Sequence, residues 1–445
     1  MNDAFGLIQK YTGIYKYSRT EVVVLNSTAE EMVGTLPDAV FNPDAKFLDI
    51  ALKSGRFLIA IHDRLMRSTS MKIAFPNEQD RHNHIVMWQL FGVATSKEAA
   101  LIARKAMYDD ISCAGNIAVP DRKYTIKTVQ GALGDMKFDV VIGNPPYNNG
   151  MDLDFVDLGF KLCTQFCVMI VPGKWQTADG SGRCASKLSY VGFRSTIVPH
   201  MKLVTYYPDC LDVFGIQEAS GITYYLLDKS NTYENRCTVK NRSQLQRTVD
   251  STEVRDITKG QSLWNIGNEI IDYLGSYNKY ELQEVTQRKA YAVCANTQIN
   301  VSTGSSGVWD WDNSLIKPES IGKGGVLFNR AGNIGLLGKM RILEASEVSP
   351  SKASMDIFTA DSKDECKSFR SWINTKLVRF FVLINIGSTT IINANSFRFV
   401  PAPPSGKFDH TYTDKELYDA FNLPQKYRDV IDAVIREREL DDSDK

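Results

Sequence analysis

Short apolar runs alternate with segments of helical spacing between about residues 45 and 230, and few folds accommodate that order. The runs are 46–49, 90–93, 138–142, 167–171, 204–207 and 223–227. After the first run, Phe57, Ile61 and Leu65 recur every four residues, which predicts a helix. Two more helices are predicted, over 99–107 and through Leu158, Leu162 and Phe166. Strands and helices in alternation favour a mostly parallel sheet with helices on both faces, so this part predicts an open α/β domain.

The character of the sequence changes after Lys229. Charges become mixed, turn residues become frequent, and glycine-rich stretches occur at 302–307 and 322–325. We therefore predict three parts: the α/β domain over 1–230, an irregular α+β domain over 231–400, and a helical segment with a polar tail over 401–445.

Composition limits the possible functions. The 445 residues are 43% hydrophobic and 23% charged, which suits two or three globular domains and excludes a disordered or fibrous protein. The 52 basic residues balance 52 acidic ones, so binding to nucleic acid must come from a local patch. Eight cysteines without a C-x-x-C pair favour a reducing compartment and predict no metal site.

The amino-terminal segment has no secretory signal pattern, and no apolar run reaches the roughly 18 residues of a membrane span. From these two features we expect a cytoplasmic protein without membrane contact.

The segment 138–147 carries the clearest chemical signal, because an apolar strand runs directly into Asn144-Pro-Pro-Tyr147. Two prolines cannot continue a sheet, so the strand ends there, at the edge where open α/β sheets bind ligands. The side-chain carbonyl of Asn144 and the backbone carbonyl of Pro145 can both accept hydrogen bonds from one exocyclic amino group. Such bonds make the amine more nucleophilic towards a methyl donor, while Tyr147 offers a stacking face worth about 1–3 kcal/mol per base. The alternative interpretation is a tight turn after a strand.

A second signal follows the first predicted strand, where Ser54 and Gly55 precede a helix. A turn of small residues lets a cofactor approach the backbone and directs helix N–H groups towards a negative group. Asn144 follows Asp49 by 95 positions, enough for three βα units, so the two turns can lie on adjacent central strands.

With both segments, the chain resembles S-adenosylmethionine-dependent DNA adenine-N6 methyltransferases of the Eco57I-like restriction-modification group, in the γ order of motifs. Asn144-Pro-Pro-Tyr147 matches the catalytic motif of that family, and 49–55 is similar to its cofactor loop. The segment 24–32 lies where the family has a Thr-Pro segment and a helix that closes over the cofactor.

The resemblance implies that 1–230 is a Rossmann-like class I methyltransferase domain and that 231–400 recognises the target. The cofactor that the resemblance implies is S-adenosylmethionine. The implied cofactor-binding residues are Thr28, Asp49, Ala51, Lys53, Ser54, Gly55 and Ala94. The implied catalytic residues are Asn144, Pro145, Pro146 and Tyr147.

The implied substrate is double-stranded DNA, from which the adenine must be flipped out of the stack. Basic residues are concentrated between 315 and 341, where we predict a DNA-binding surface or, alternatively, a solvated loop surface. Its candidate residues are Lys317, Lys323, Arg330, Lys339 and Arg341. About twenty residues precede the cofactor-closing segment, so we expect a methylase without a fused nuclease, whose partner is a separately encoded restriction endonuclease.

The sequence departs from the family pattern at Lys53, which stands in place of a glycine, and at 92–95, which has no carboxylate for the ribose. These departures leave open a methyltransferase fold that only binds DNA or protein. A further alternative keeps the chemistry and changes the acceptor to RNA, cytosine N4 or a glutamine side chain.

Overall fold

The fold is described from a computed structural model of the chain. It describes residues 24, 26–110, 112–120, 123–147, 150–177, 188–207, 221–234, 236–242, 251–282, 285–296, 340–349, 354–385 and 394–435.

A nine-stranded sheet is the framework. Its strands in chain order are β1 (Phe47–Leu52), β2 (Leu90–Ala94), β3 (Ile117–Ala118), β4 (Phe138–Gly143), β5 (Cys163–Pro172), β6 (Met201–Tyr207), β7 (Ile222–Asp228), β8 (Cys237–Asn241) and β9 (Ser251–Arg255). Their spatial order is β3-β2-β1-β4-β5-β7-β6-β8-β9. Strands β1 to β5 pair in parallel, whereas β7 runs antiparallel to both β5 and β6. The order reverses between β1 and β4, so the carboxyl ends of these strands form the switch point where such sheets bind ligands.

Helices cover the sheet and continue beyond it. They are α1 (Asn26–Gly34), α2 (Arg56–Arg67), α3 (Thr69–Ala74), α4 (Glu78–His84), α5 (Lys97–Tyr108), α6 (Ile126–Leu133), α7 (Met151–Leu162), α8 (Tyr190–Thr196), α9 (Asn265–Tyr273), α10 (Lys363–Ile373), α11 (Lys376–Ile384), α12 (Ala394–Phe397), α13 (Asp414–Ala420) and α14 (Gln425–Val434). Among the described residues, none of the helices combines the length and the apolar character that a membrane span requires.

Both faces of the sheet are buried, which explains the continuous apolar runs. Successive side chains of a strand point to opposite faces, and β1 illustrates this. Phe47 packs in the cluster that contains buried residues of α1, α2 and α5, and Leu52 joins the same cluster because the register shifts between Asp49 and Leu52. Leu48 and Ile50 pack in the other cluster, with buried residues of α6 and α7.

The predicted α/β fold is confirmed: each of the six apolar runs overlaps a strand, and Phe57, Ile61 and Leu65 lie buried on α2. One helix prediction is wrong in its extent, because α7 ends at Leu162 and Phe166 lies in β5. Residues four apart share a face in a helix and also in a strand, so their spacing did not distinguish the two.

The part of the chain after residue 260 contains a second, antiparallel sheet, as expected for an α+β region. Its strands are β10 (Tyr291–Asn296), β11 (Met340–Glu344) and β12 (Ser354–Ala360), in the order β11-β10-β12. Helix α10 packs against this sheet, α11 packs against α10, and α13 and α14 pack against α11.

The first sheet continues beyond residue 230, where we predicted a domain boundary. Strand β8 pairs in parallel with β6, and β9 pairs antiparallel with β8. One hydrophobic cluster includes Val141 and Tyr225 of this sheet together with Trp264 and Phe380 from later helices. The sheet and its hydrophobic core therefore extend across the predicted boundary at residue 230, and the division into three parts stays a proposal.

Candidate functional site

A buried carboxyl group lies within β1, three residues before the strand ends. Asp49 is 2% exposed, and its Oδ1 accepts a hydrogen bond from the Ala51 N–H at 3.1 Å. Burial raises the pKa of Asp49 to about 7, although the Ala51 N–H and the charge of Lys53 act to lower it. A buried carboxyl group with a strongly shifted pKa beside a cavity is typical of a functional site.

Gly55 turns the chain from the loop after β1 into α2. Its φ is +80°, a left-handed conformation that glycine adopts without strain. Helix α2 starts at the next residue, Arg56, and no side chain caps its start at Gly55. The first N–H groups of α2 are therefore directed towards the loop, where they favour a negatively charged or hydrogen-bonding ligand.

The Asn144-Pro-Pro-Tyr147 segment follows the end of β4, next to β1 in the sheet. Asn144 is 2% exposed, and its Oδ1 accepts a hydrogen bond from the Tyr147 hydroxyl at 2.6 Å. The same hydroxyl lies 3.4 Å from the Ile170 carbonyl oxygen of β5. These contacts fix the relative positions of the amide and the aromatic ring.

Gly143 allows the end of β4 to approach the carboxyl-terminal half of β1 closely. A Cβ atom at this position would lie 2.8 Å from Cγ2 of Ile50 and 3.5 Å from the backbone nitrogen of Ala51. Glycine is the residue type that permits this close contact. The expected catalytic segment and the expected cofactor loop are thus held against each other.

A small cavity lies between these two segments. Six of the residues predicted from the sequence line it: Asp49, Ala51, Lys53, Ser54, Gly55 and Asn144. The other predicted residues of this region, Thr28, Ala94, Pro145, Pro146 and Tyr147, are described but do not line the cavity. Thr28 is buried in α1, and Ala94 is buried where β2 ends, paired with Leu52.

Three residues that the sequence analysis did not select also line the cavity: Val24, Arg56 and Phe57. Arg56 is buried, and its Nη1 donates to the Val24 carbonyl oxygen. A charged residue at the start of an amphipathic helix is ordinarily exposed, so its type did not point to the cavity. Its position directly after Gly55 was the available signal.

Trp175, at the end of β5, is a core residue. It is fully buried beside Phe193 and Tyr225, at ring-centroid distances of 5.6 and 6.2 Å, and its Nε1–H donates to the Thr223 hydroxyl. Its side chain packs in the core and does not line the cavity.

The predicted DNA-binding surface is described at one of its five residues. Arg341 is exposed on β11, opposite Cys294 of β10. Lys317, Lys323, Arg330 and Lys339 lie outside the described residues.

A larger groove, of about 730 Å³, lies at the carboxyl end of α2. Arg64 and Asp38 line it and form an ion pair. None of the predicted site residues that the structure describes lines this groove, so we place the candidate site at the smaller cavity, where the chemically distinctive residues meet.

No protein-family model matches the chain. Its sequence is 23% identical over 291 residues to an uncharacterised adenine-specific methylase of Mycoplasma pneumoniae. That match covers 48% of this chain and 66%, just under two thirds, of the relative's length. The resemblance to adenine-specific methylases that the sequence motifs predict is thereby confirmed.

Two solved structures are similar at low TM-scores. A modification subunit of a putative type I restriction enzyme from Vibrio vulnificus has a TM-score of 0.39 and 11% identity, covering 63% of this chain and 60% of that chain. A putative class I S-adenosylmethionine-dependent methyltransferase from Listeria monocytogenes has a TM-score of 0.32 and 13% identity, covering 50% of this chain and 65% of that chain. Neither likeness bears on the chemistry of the site.

Proposed function

We propose that this chain is an S-adenosylmethionine-dependent DNA methyltransferase that methylates the N6 amino group of an adenine flipped out of a specific sequence. The observation that carries the proposal is the cavity in which Asn144 meets the loop from Asp49 to Gly55. The similarity to a protein described as an adenine-specific methylase supports it.

The residues around the cavity suit the proposed cofactor. Lys53 and Arg56 supply positive charge for its carboxylate, the buried Asp49 carboxyl group accepts hydrogen bonds, and Gly55 leaves the backbone accessible. When bound, S-adenosylmethionine supplies a methyl group on a sulfonium sulfur. The described cavity is smaller than this cofactor, so we expect it to widen when the cofactor binds.

The acceptor amine is activated by Asn144 and Pro145 in this proposal. A carbonyl oxygen accepts two hydrogen bonds, so the bond from Tyr147 to Asn144 is compatible with a second bond from the exocyclic amine. The Tyr147 bond also fixes the direction in which the amide carbonyl points. The Pro145 carbonyl is the second acceptor, and the Tyr147 ring stacks on the base.

The target side of the proposal rests on the later part of the chain. An adenine in duplex DNA has its amino group in the stack, so it must be extruded before it reaches Asn144. We propose that Arg341, with Lys317, Lys323, Arg330 and Lys339, contacts the DNA during this step. A separately encoded restriction endonuclease is the proposed functional partner.

Purified protein with radiolabelled S-adenosylmethionine tests the proposal on duplex DNA, RNA and protein. We expect incorporation into duplex DNA, and single-molecule sequencing of DNA from a methylation-free host should locate N6-methyladenine at one recognition sequence. Label in RNA, in cytosine or in protein would contradict the proposed acceptor. Absence of cofactor binding by calorimetry would favour a protein that only binds DNA or another protein.

Substitutions in the catalytic segment test the assigned roles. We expect Asn144→Ala to lower the methylation rate about 100-fold or more, because the acceptor for the amine is lost. Tyr147→Phe keeps the stacking face but loses the hydrogen bond that orients Asn144, so it should lower the rate less than Tyr147→Ala, which loses both. Wild-type activity in the Asn144→Ala protein would refute the role of Asn144, provided that its urea unfolding midpoint matches that of the wild type.

A further inference from the structure

Helix α1 precedes β1 in the chain and adjoins residues that line the cavity. It begins two residues after Val24, which lines the cavity, and it packs on α2. Its inward residues Thr28, Ala29, Met32 and Val33 are buried. The position of α1 therefore affects the wall of the cavity formed by Val24.

Glu31 connects α1 to strands on the other side of the catalytic segment. Its Oε2 accepts a hydrogen bond from the Tyr207 hydroxyl at 2.7 Å, at the end of β6. Its Oε1 accepts from Nε of Arg242 at 3.1 Å and also from Nη2 of that residue, directly after β8. The carboxylate of Glu31 on α1 is thus bound by Tyr207 of β6, by Arg242 directly after β8, and by Tyr224 of β7.

The electrostatics agree with this geometry. Burial acts to raise the pKa of Glu31, but hydrogen bonds from Tyr207, Arg242 and Tyr224 of β7 outweigh it, and the pKa of Glu31 is lowered. A single exposed ion pair contributes little to stability. Glu31 differs from such a pair because it is half-buried and combines a charged donor with a hydroxyl donor.

Both ends of α1 are fixed by arginines of α2. Arg56 donates to the Val24 carbonyl oxygen before the helix, and Arg64 donates to the Val33 carbonyl oxygen at 2.9 Å near its end. Glu31 is the contact that ties this unit to β6 and β8. The α1–α2 pair therefore lies fixed across the edge of the sheet that carries Asn144.

We infer that Glu31 is a positioning residue, which holds α1 through Tyr207 and Arg242 so that Val24 and Arg56 form the wall of the cofactor pocket. This inference rests on the proposed function, since it assigns that cavity to the cofactor. Loss of the contact should weaken cofactor binding without changing the groups that activate the amine.

Glu269 offers a matched control. This glutamate of α9 accepts hydrogen bonds from Lys426 and from the Tyr427 hydroxyl at 2.8 Å on α14. Its combination of glutamate, tyrosine hydroxyl and cation repeats the chemistry around Glu31, and neither it nor its partners line the cavity.

The test compares Glu31→Gln with Glu269→Gln in the full-length chain. We expect Glu31→Gln to raise the S-adenosylmethionine Kd, measured by calorimetry, about tenfold or more, and Glu269→Gln to change it less than about twofold. At saturating cofactor, kcat on DNA should remain within about twofold for both variants. Tyr207→Phe removes one hydrogen bond and keeps the ring, so it should raise Kd less, and its effect should not add fully to that of Glu31→Gln.

The outcomes separate the two proposals. If the wild-type protein binds cofactor and Glu31→Gln binds it equally well, the role of Glu31 is wrong and the proposed function stands. If Glu31→Gln does not fold, an unchanged Kd in Tyr207→Phe contradicts the role. A wild-type protein that binds no cofactor overturns both.

Discussion

At the scale of single residues, the environment of Asp49 disfavours the ionised form of its carboxyl group. Its carboxyl group is buried between sheet and helix, and its pKa is raised from an ordinary value of 3.8 to about 7, mainly by burial. A charged form so poorly solvated reduces the stability of the fold at neutral pH. Retaining such a group is understandable if it acts on a ligand.

Asp49→Asn tests whether the carboxyl group lowers the stability of the fold while it contributes to ligand binding. The raised pKa means that the folded state binds the proton more tightly, so the associated stability is complete below about pH 4 and is lost as pH rises towards 7. Asparagine does not ionise, so the variant does not lose this stability as the pH rises. We therefore expect urea unfolding to show Asp49→Asn gaining stability over the wild type from pH 4 to 7, with cofactor binding weakened.

Asp419→Asn is the control of opposite sign. Hydrogen bonds from Lys415 and Arg428 lower the pKa of Asp419, so its contribution to stability is present above its ordinary pKa and lost in acid. Its asparagine variant should gain nothing at pH 7. A parallel pH profile for the two variants would contradict the interpretation of Asp49.

At the scale of elements, the contact between the end of β4 and the carboxyl-terminal half of β1 depends on Gly143. We expect Gly143→Ala to destabilise the protein by about 1–3 kcal/mol, because its Cβ would overlap the buried Ile50 side chain. Cofactor affinity should fall as well, since the overlap separates the two segments of the site. Urea unfolding and calorimetry measure the two effects.

Gly131→Ala is the matched substitution in open space. Gly131 lies inside α6, and a Cβ atom there would have no neighbour within 4 Å among the described residues. Alanine should stabilise the helix by about 0.5–1 kcal/mol. Equal losses from the two substitutions would show that the close contact at Gly143 is not the cause.

Much of this framework was predictable from local pattern. The apolar runs of β1 and β4 are buried on both faces, and a run that ends in two prolines marks where its strand stops. The direction of β7 was not predictable, because Thr223 to Leu227 reads the same in a parallel or an antiparallel strand. Strand β8 was missed, although its alternation of buried and half-buried residues is typical of a strand.

The candidate site was predictable where backbone geometry demands particular residues, as at Gly55 and Asn144. Arg56 and Glu31 were not, because each acts through a tertiary partner, the Val24 carbonyl in one case and Tyr207 with Arg242 in the other. Nothing local to a charged residue on an amphipathic helix indicates such a partner.

At the scale of the whole molecule, the sheet and the later helices share their core. The Gln176 side chain, after β5, accepts a hydrogen bond from the Leu263 N–H at 2.5 Å, and Asn241 binds both Leu263 and Asn265. The Trp264 ring lies 5.8 Å from that of Phe380. Buried polar contacts of this kind make the two parts mutually dependent.

A fragment of residues 1–230 tests that dependence. It lacks β8 and β9 and the residues that cover the hydrophobic cluster from the later helices. We expect it to lose cooperative urea unfolding and near-ultraviolet circular dichroism, both of which the full chain should show. A fragment with a sharp transition would instead support an independent domain that ends at residue 230.

Two buried tryptophans can serve as intrinsic fluorescence probes of unfolding. Trp175 lies behind β5 and Trp372 lies in α10, both fully enclosed. Their emission bands overlap with each other and with those of the other four tryptophans, so single-tryptophan variants are needed to follow these two regions, which are distant in sequence, separately. In variants that retain only Trp175 or only Trp372, emission that shifts to the red at the same temperature would show that the two regions unfold together. Shifts at different temperatures would show which region unfolds first.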